Sequence, residues 1–175
     1  CGNIRELYGT HASITLYKKT VNKVTTTFPA YQANKQWPWI IVSYSNLLYE
    51  QGKYDEAISA INNLLYYWPE KSITPDNVII YGYLYNRLHV YHRALEYQVT
   101  RSSLGWLEKS EELVMINAEP ELLFLNFIDR GYCVYDCLSS KQEIIKYWEK
   151  ACEIYENNNI ITKKPNYYYA KMTIE

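Results

Sequence analysis

The strongest pattern along the chain is an apolar stripe recurring at three- and four-residue steps between Trp39 and Trp68. Ile41, Tyr44, Leu47 and Leu48 share one helical face, and Ala57, Ile61, Leu64 and Leu65 share another. Between them Gln51-Gly52-Lys53 makes a tight break, with Gly52 suited to the left-handed residue that ends a helix. Asp55 and Glu56 then fall in the first turn of the next helix, where the helix dipole favours negative charge. Pro69 closes that helix, so the spacing predicts a helical hairpin.

Helical periodicity continues on both sides. Pro75 opens a long helix through about Tyr97, and Ser102 or Ser103 caps a second one reaching Met115. The run from Asn126 to Asn159, NFIDRGYCVYDCLSSKQEIIKYWEKACEIYENNN, reads as a further pair with its turn at Ser139-Ser140. Gly131 is the small residue of its first helix, and Trp148 and Ala151 sit on its second. Ile14 to Thr27, followed by Pro29, reads as a lone helix, and Pro165 to Ile174 as the start of another.

The segment LLYEQGKYDEAISAINNLLYYWPE resembles a tetratricopeptide repeat, whose period is about 34 residues. Ser45 stands where the family has a small residue on its first helix, and Leu48 where it has a large one. Gly52, Tyr54 and Ala57 match the turn and the opening of the second helix; Ile61 matches its bulky residue and Pro69 the repeat-ending proline. Leu64 departs from the alanine the family prefers there. The Asn126 to Asn159 unit fits the same family with about one residue inserted, and the middle unit is irregular. The resemblance implies an all-α, TPR-like α-solenoid of stacked antiparallel hairpins, with about three helix pairs plus flanking helices. It implies one domain over residues 1–175, either a piece of a longer array or one closed off by its terminal helices.

Composition removes several function classes. The chain has 175 residues, 48% hydrophobic and 21% charged, values ordinary for a globular domain. A net charge of -1 leaves no basic field to neutralise phosphates, so no direct contact to nucleic acid is expected. Apolar runs such as Asn77–Tyr85 and Leu122–Ile128 fall well short of the ~18 residues needed to cross a bilayer, so no transmembrane segment is expected. There are 20 Tyr and 5 Trp against 3 Phe. Tyr joins an apolar body to a polar tip, so it serves either a core edge or a wet binding surface, and the excess is also what an AT-rich coding bias produces.

No G-x-S-x-G, Walker-type glycine loop, H-E-x-x-H or paired C-x-x-C occurs, so neither an enzymatic activity nor a cofactor is expected. Cys133 and Cys137, four apart on a predicted helix, suit a mutual disulfide poorly, and with Cys152 they read as small buried residues rather than metal ligands. His89 and His92 share a helix face but lack a visible third ligand, and His11 stands alone. Glu111-Glu112 and Asp129 read as a solvated face. Cys1 admits two origins for the chain: an excised fragment, or a mature bacterial lipoprotein whose first cysteine bears the lipid. The first origin goes with a cytoplasmic protein, the second with the cell envelope.

What remains is the groove that such arrays present, walled mainly by the first helix of each pair and occupied by a protein or short peptide. The residues expected to face it are Asn46 and Tyr49 (with Val42 and Glu50) in the first unit, Tyr85 and His92 (with Glu96) in the middle one, and Tyr132 and Tyr135 (with Asp136) in the last. Asn46 matches the asparagine that touches peptide backbone in family members gripping a C-terminal carboxylate. Val42 stands where those members carry lysine, which points away from carboxylate capture and toward a neutral or basic peptide. The expected function is a non-enzymatic scaffold or adaptor with a Tyr-rich concave groove. Two rivals accompany it. The KYWEKACEIYENNN run also resembles the C-terminal repeats of Rap/Rgg-type peptide receptors, which implies a peptide-sensing regulatory domain. With Cys1 as an anchor, the repeats would instead be a ligand-binding or assembly module of the envelope.

Overall fold

The computed structural model describes the backbone of residues 2–27, 36–117, 119–137, 140–160 and 164–174. Within them the side chains of 2–8, 10, 11, 25–27, 117 and 164 are also left undescribed. Cys1, Pro29 and Ser139, and the side chains of Ile4 to Leu7 and His11, therefore lie outside the described residues. Eight α-helices and no strand occur among the described residues. They are α1 (Gly2–Thr27), α2 (Trp37–Glu50), α3 (Tyr54–Tyr67), α4 (Val78–Glu96), α5 (Arg101–Asn117), α6 (Pro120–Asp136), α7 (Lys141–Asn157) and α8 (Lys164–Ile174). The chain divides into two compact units, Cys1–Thr74 and Pro75–Glu175.

In the first unit α1 packs on α2 and α2 on α3. The predicted hairpin is α2 and α3. Gly52 ends α2 at φ 72°, with Lys53 N–H bonded to Leu48 O (3.0 Å) and Gly52 N–H to Tyr49 O (2.9 Å). That pair of bonds is the Schellman termination, and a left-handed residue without Cβ forms it without strain. Asp55 and Glu56 do occupy the first turn of α3. The core draws on Ile14 and Tyr17 of α1, Ile41, Leu47 and Leu48 of α2, and Ala57, Ile61 and Leu64 of α3. Ser45, wholly buried, returns its hydroxyl to Val42 O at 2.9 Å, so it occupies the small-residue position without an unmet donor.

In the second unit α4 packs on α5, α5 on α6, α4 on α6, α6 on α7 and α7 on α8. Pro75 starts a turn rather than a helix; α4 begins three residues later and ends at Tyr97, which takes the left-handed conformation at φ 55°. Neither Ser102 nor Ser103 is the cap of α5. Thr100 caps it, because Thr100 N–H donates to Ser103 Oγ (2.9 Å) while Ser103 N–H donates to Thr100 Oγ1 (3.2 Å). This reciprocal pair has the geometry of a capping box with a hydroxyl replacing the usual Glu or Gln. Glu119 and Ser140 cap α6 and α7 through the backbone N–H of Leu122 and Glu143.

Gly131 on α6 is required by close approach. A Cβ there would lie 2.2 Å from the indole nitrogen of Trp148 on α7, which donates to Ile128 O at 3.2 Å. Glycine thus lets the largest fully buried side chain among the described residues lie against the α6 backbone. Phe124, Leu125 and Ile128 of α6, Ile144 and Ala151 of α7 and Tyr167 and Ala170 of α8 complete this core. No helix among the described residues is long and apolar enough to cross a membrane.

Candidate functional site

In the first unit a groove of about 660 Å3 lies over α2 between α1 and α3. Each wall is one helical stripe. Lys18, Val21 and Asn22 come from α1 at three- and four-residue steps, and Trp37, Ile41 and Tyr44 of α2 form the floor at the same steps. Glu56, Ser59, Asn63 and Tyr67, with Asp55 beside them, form the α3 wall. The stripe is offset from Ala57 and Ile61, which are buried in the core, while buried Leu64 and half-buried Ala60 border both. One helix thereby serves packing on one side and a polar, aromatic trough on the other.

Tyr44 is half-buried and stacks on Tyr17 of α1, their ring centroids 6.3 Å apart. Burial, and secondarily the charge of Glu56, push its phenol above the usual tyrosine range, so the hydroxyl remains a neutral donor and acceptor. Glu56 also meets Lys53 at 3.4 Å, both about half exposed, which makes their pairing weak and exchangeable. The size and the mix of aromatic and polar linings are those of ligand grooves in general.

The expected groove residues are distributed differently. Asn46 and Tyr49 lie on α2 but not along this trough; both are half-buried, and Tyr49 packs on Tyr54 at the start of α3, 5.4 Å between centroids. Val42 is buried. Tyr85 is only 2% exposed and stacks on Trp106 of α5 at 5.6 Å, with Lys109 over both rings. It spends its face inside the α4–α5 pair. His92 is half-buried beside Glu96, one turn along its own helix at 3.8 Å. Tyr132 lies under Arg93 of α4 (4.8 Å), edge-on to Trp148 and stacked on Tyr169 of α8 at 5.9 Å. Tyr135, 62% exposed, does line a cleft of about 360 Å3 with Lys141, Ile144, Trp148 and Tyr169. Spacing puts Tyr44 on the apolar face of α2 and Asp55 and Glu56 in the first turn of α3, and does not mark these residues, Trp37 or the α3 stripe as groove lining. Their signal was present as a second three- and four-residue stripe beside the apolar one, but spacing alone does not say which stripe a neighbouring helix will cover.

A second polar cluster is enclosed rather than open. Asn86 of α4 donates from Nδ2 to Asn126 Oδ1 (2.9 Å) and Asp129 Oδ2 (2.7 Å) of α6, and accepts from the Arg87 guanidinium at 2.7 Å. Ser110 of α5 lies 2.8 Å from Gly82 O and 3.1 Å from Asn126 Oδ1. His89, fully buried, meets Ser103 O through Nδ1 (2.9 Å) and Cys133 Sγ through Nε2 (3.7 Å). A carbonyl only accepts, which assigns the proton to Nδ1 and leaves Nε2 to accept from the thiol. Burial lowers the His89 pKa, and burial raises that of Cys133 to about 12. The two therefore sit as neutral S–H and imidazole, the reverse of the thiolate that nucleophilic attack requires. Arg93–Asp136 (2.7 Å) and Arg130–Glu111 flank the seam. Asp129 and Glu111 are thus bound into helix–helix contacts rather than lying on an idle solvated face, whereas Glu112 is exposed. Cys133, Cys137 and Cys152 are free thiols, Cys137 exposed and the others buried. Among the described residues no three His, Cys, Asp or Glu side chains gather as a metal site.

Compared with protein-family models, with curated proteins and with solved structures, the chain gives no match.

Proposed function

We propose that this protein is a non-enzymatic scaffold or adaptor of the tetratricopeptide-like kind, holding another protein or a peptide in the trough between α1 and α3. The observation that carries the reading is that trough, about 660 Å3, floored by Trp37, Ile41 and Tyr44 and walled by Asn22, Asn63, Asp55 and Glu56. Flat aromatic faces beside amide and carboxylate groups suit an extended peptide, whose backbone alternates donors and acceptors and whose side chains alternate apolar and polar. The order of packing within Pro75–Glu175, each helix on the next and α4 also on α6, supports a solenoid-like layering of helix pairs. The neutral His89–Cys133 pair supports a structural rather than a catalytic use of this buried thiol–imidazole contact.

The test is affinity capture on the full chain, with Ser59→Trp as the control. Ser59 is exposed on the α3 wall, so an indole there fills the trough without touching the core. Capture of a protein or peptide that Ser59→Trp lowers about tenfold, a loss of ~1.4 kcal/mol in binding, is the expected result. Capture of a small molecule alone would overturn the reading.

A further inference from the structure

We propose, on the reading that the α1–α2–α3 trough holds a peptide, that it selects segments carrying a lone lysine or arginine flanked by neutral or aromatic residues. Three features of the trough converge on this occupant. Asp55 and Glu56 stand together on the α3 wall, against Lys18 on the α1 wall, so carboxylates outnumber ammonium groups two to one. Among the described residues Asp55 has no ion-pair partner, and Glu56 has only the exposed, exchangeable Lys53. An incoming cation therefore displaces little and gains two acceptors.

The second feature is what lies next to the carboxylates. Half-buried Tyr44 and the nearly covered Trp37 floor the same trough, and a guanidinium or ammonium beside the open part of Tyr44 gains a further attraction from the ring quadrupole. Tyr44 keeps its hydroxyl proton, because burial first and Glu56 second hold the phenol neutral, and so it adds a hydrogen-bond donor rather than a competing charge. The third feature is Lys18. A tract of adjacent basic residues would bring a cation against this ammonium, at a repulsive cost, whereas a single basic residue meets Asp55 and Glu56 across the trough. The same ammonium disfavours a run of cations along the trough, and a net charge of -1 supplies no overall basic field for polyanions, which leaves an isolated positive side chain as the occupant the trough fits.

The experiment pans random heptapeptides displayed on phage against the immobilised full chain and sequences what is retained. Lys and Arg enriched at one position, without enrichment of neighbouring basic pairs, is the expected result. A synthetic peptide of the retained sequence should then bind the double variant Asp55→Asn/Glu56→Gln about tenfold more weakly and lose affinity as salt rises, because the trough is open to screening. These carboxamide replacements are isosteric and exposed, and circular dichroism checks that the variant remains folded. Retention of neutral or acidic peptides that Ser59→Trp abolishes would overturn the charge preference while leaving the peptide-binding trough intact. Basic peptides that bind Ser59→Trp as well as the parent chain would show attraction to the surface at large and would overturn the proposal. No enrichment over the input library would overturn both this proposal and the reading on which it rests.

Discussion

Two regions of this protein are made from the same kinds of residues and come out opposite. In the trough of the first unit, Asn63, Asp55 and Glu56 line open space beside Tyr44. In the seam of the second unit, Asn86, Asn126 and Asp129 are drawn between α4, α5 and α6, with Tyr85 buried nearby against Trp106. The difference lies in what covers each stripe. In the first unit α1 and α3 both pack on α2 and part above it, leaving a polar face uncovered. In the second, α4 packs on both α5 and α6, so a polar residue on α4 must find its partner inside. Asn86 satisfies both amide hydrogens there, and Asn126 Nδ2 is left without a partner, which shows how narrow the fit is.

The widest separation between the two regions should come from paired asparagine substitutions. Asn86→Leu leaves Asp129, Asn126 Oδ1 and the Arg87 guanidinium short of a partner, for an expected loss of about 2–3 kcal/mol in urea unfolding. Asn63→Leu, on the exposed wall of the trough, should stay within about 0.5 kcal/mol. Equal losses at the two sites would erase the distinction.

Acidification sharpens it further. His89 faces Ser103 O and Cys133, with Asp129, Arg93 and Arg130 acting on it at longer range, and burial depresses its pKa. A depressed pKa means the folded state holds the imidazole neutral. Stability is therefore complete above the unfolded value near 6.5 and falls below it, by up to about 1.4 kcal/mol per pH unit, until the folded pKa is passed. Denaturation midpoints from pH 8 to about 4.5 should show this added slope, and His89→Gln should remove it.

The smallest effect is a reactivity difference. Cys137 is exposed and should alkylate with iodoacetamide in the native state, whereas Cys133, its thiol pushed up to about 12 by burial, should react only on unfolding. Peptide mapping distinguishes them, and early modification of Cys133 would show that the seam opens readily.

Much of the local structure was legible from spacing. The Gly52 termination and the acids opening α3 stand where spacing and the helix dipole put them, because each follows from chain geometry within a few residues. Composition points to Ser102 or Ser103 as the cap of α5, whereas Thr100 caps it, because its capping box pairs two hydroxyls rather than a hydroxyl and a Glu. The site was less legible. Tyr85 and Asn46 carry the right period for a groove, yet one is spent on Trp106 and the other lies away from the trough, while Trp37 and Tyr44 floor it.

The sequence by itself determined a helical chain and the hairpin of α2 and α3, since periodicity and turn chemistry act locally; that Gly131 admits Trp148 came only with the packing of α6 on α7. Only the tertiary structure decided which polar stripe is sealed and which is open. That choice depends on which helices diverge and which close over a face, and the same Asn, Asp and Tyr residues satisfy either outcome until a neighbour arrives to bury them.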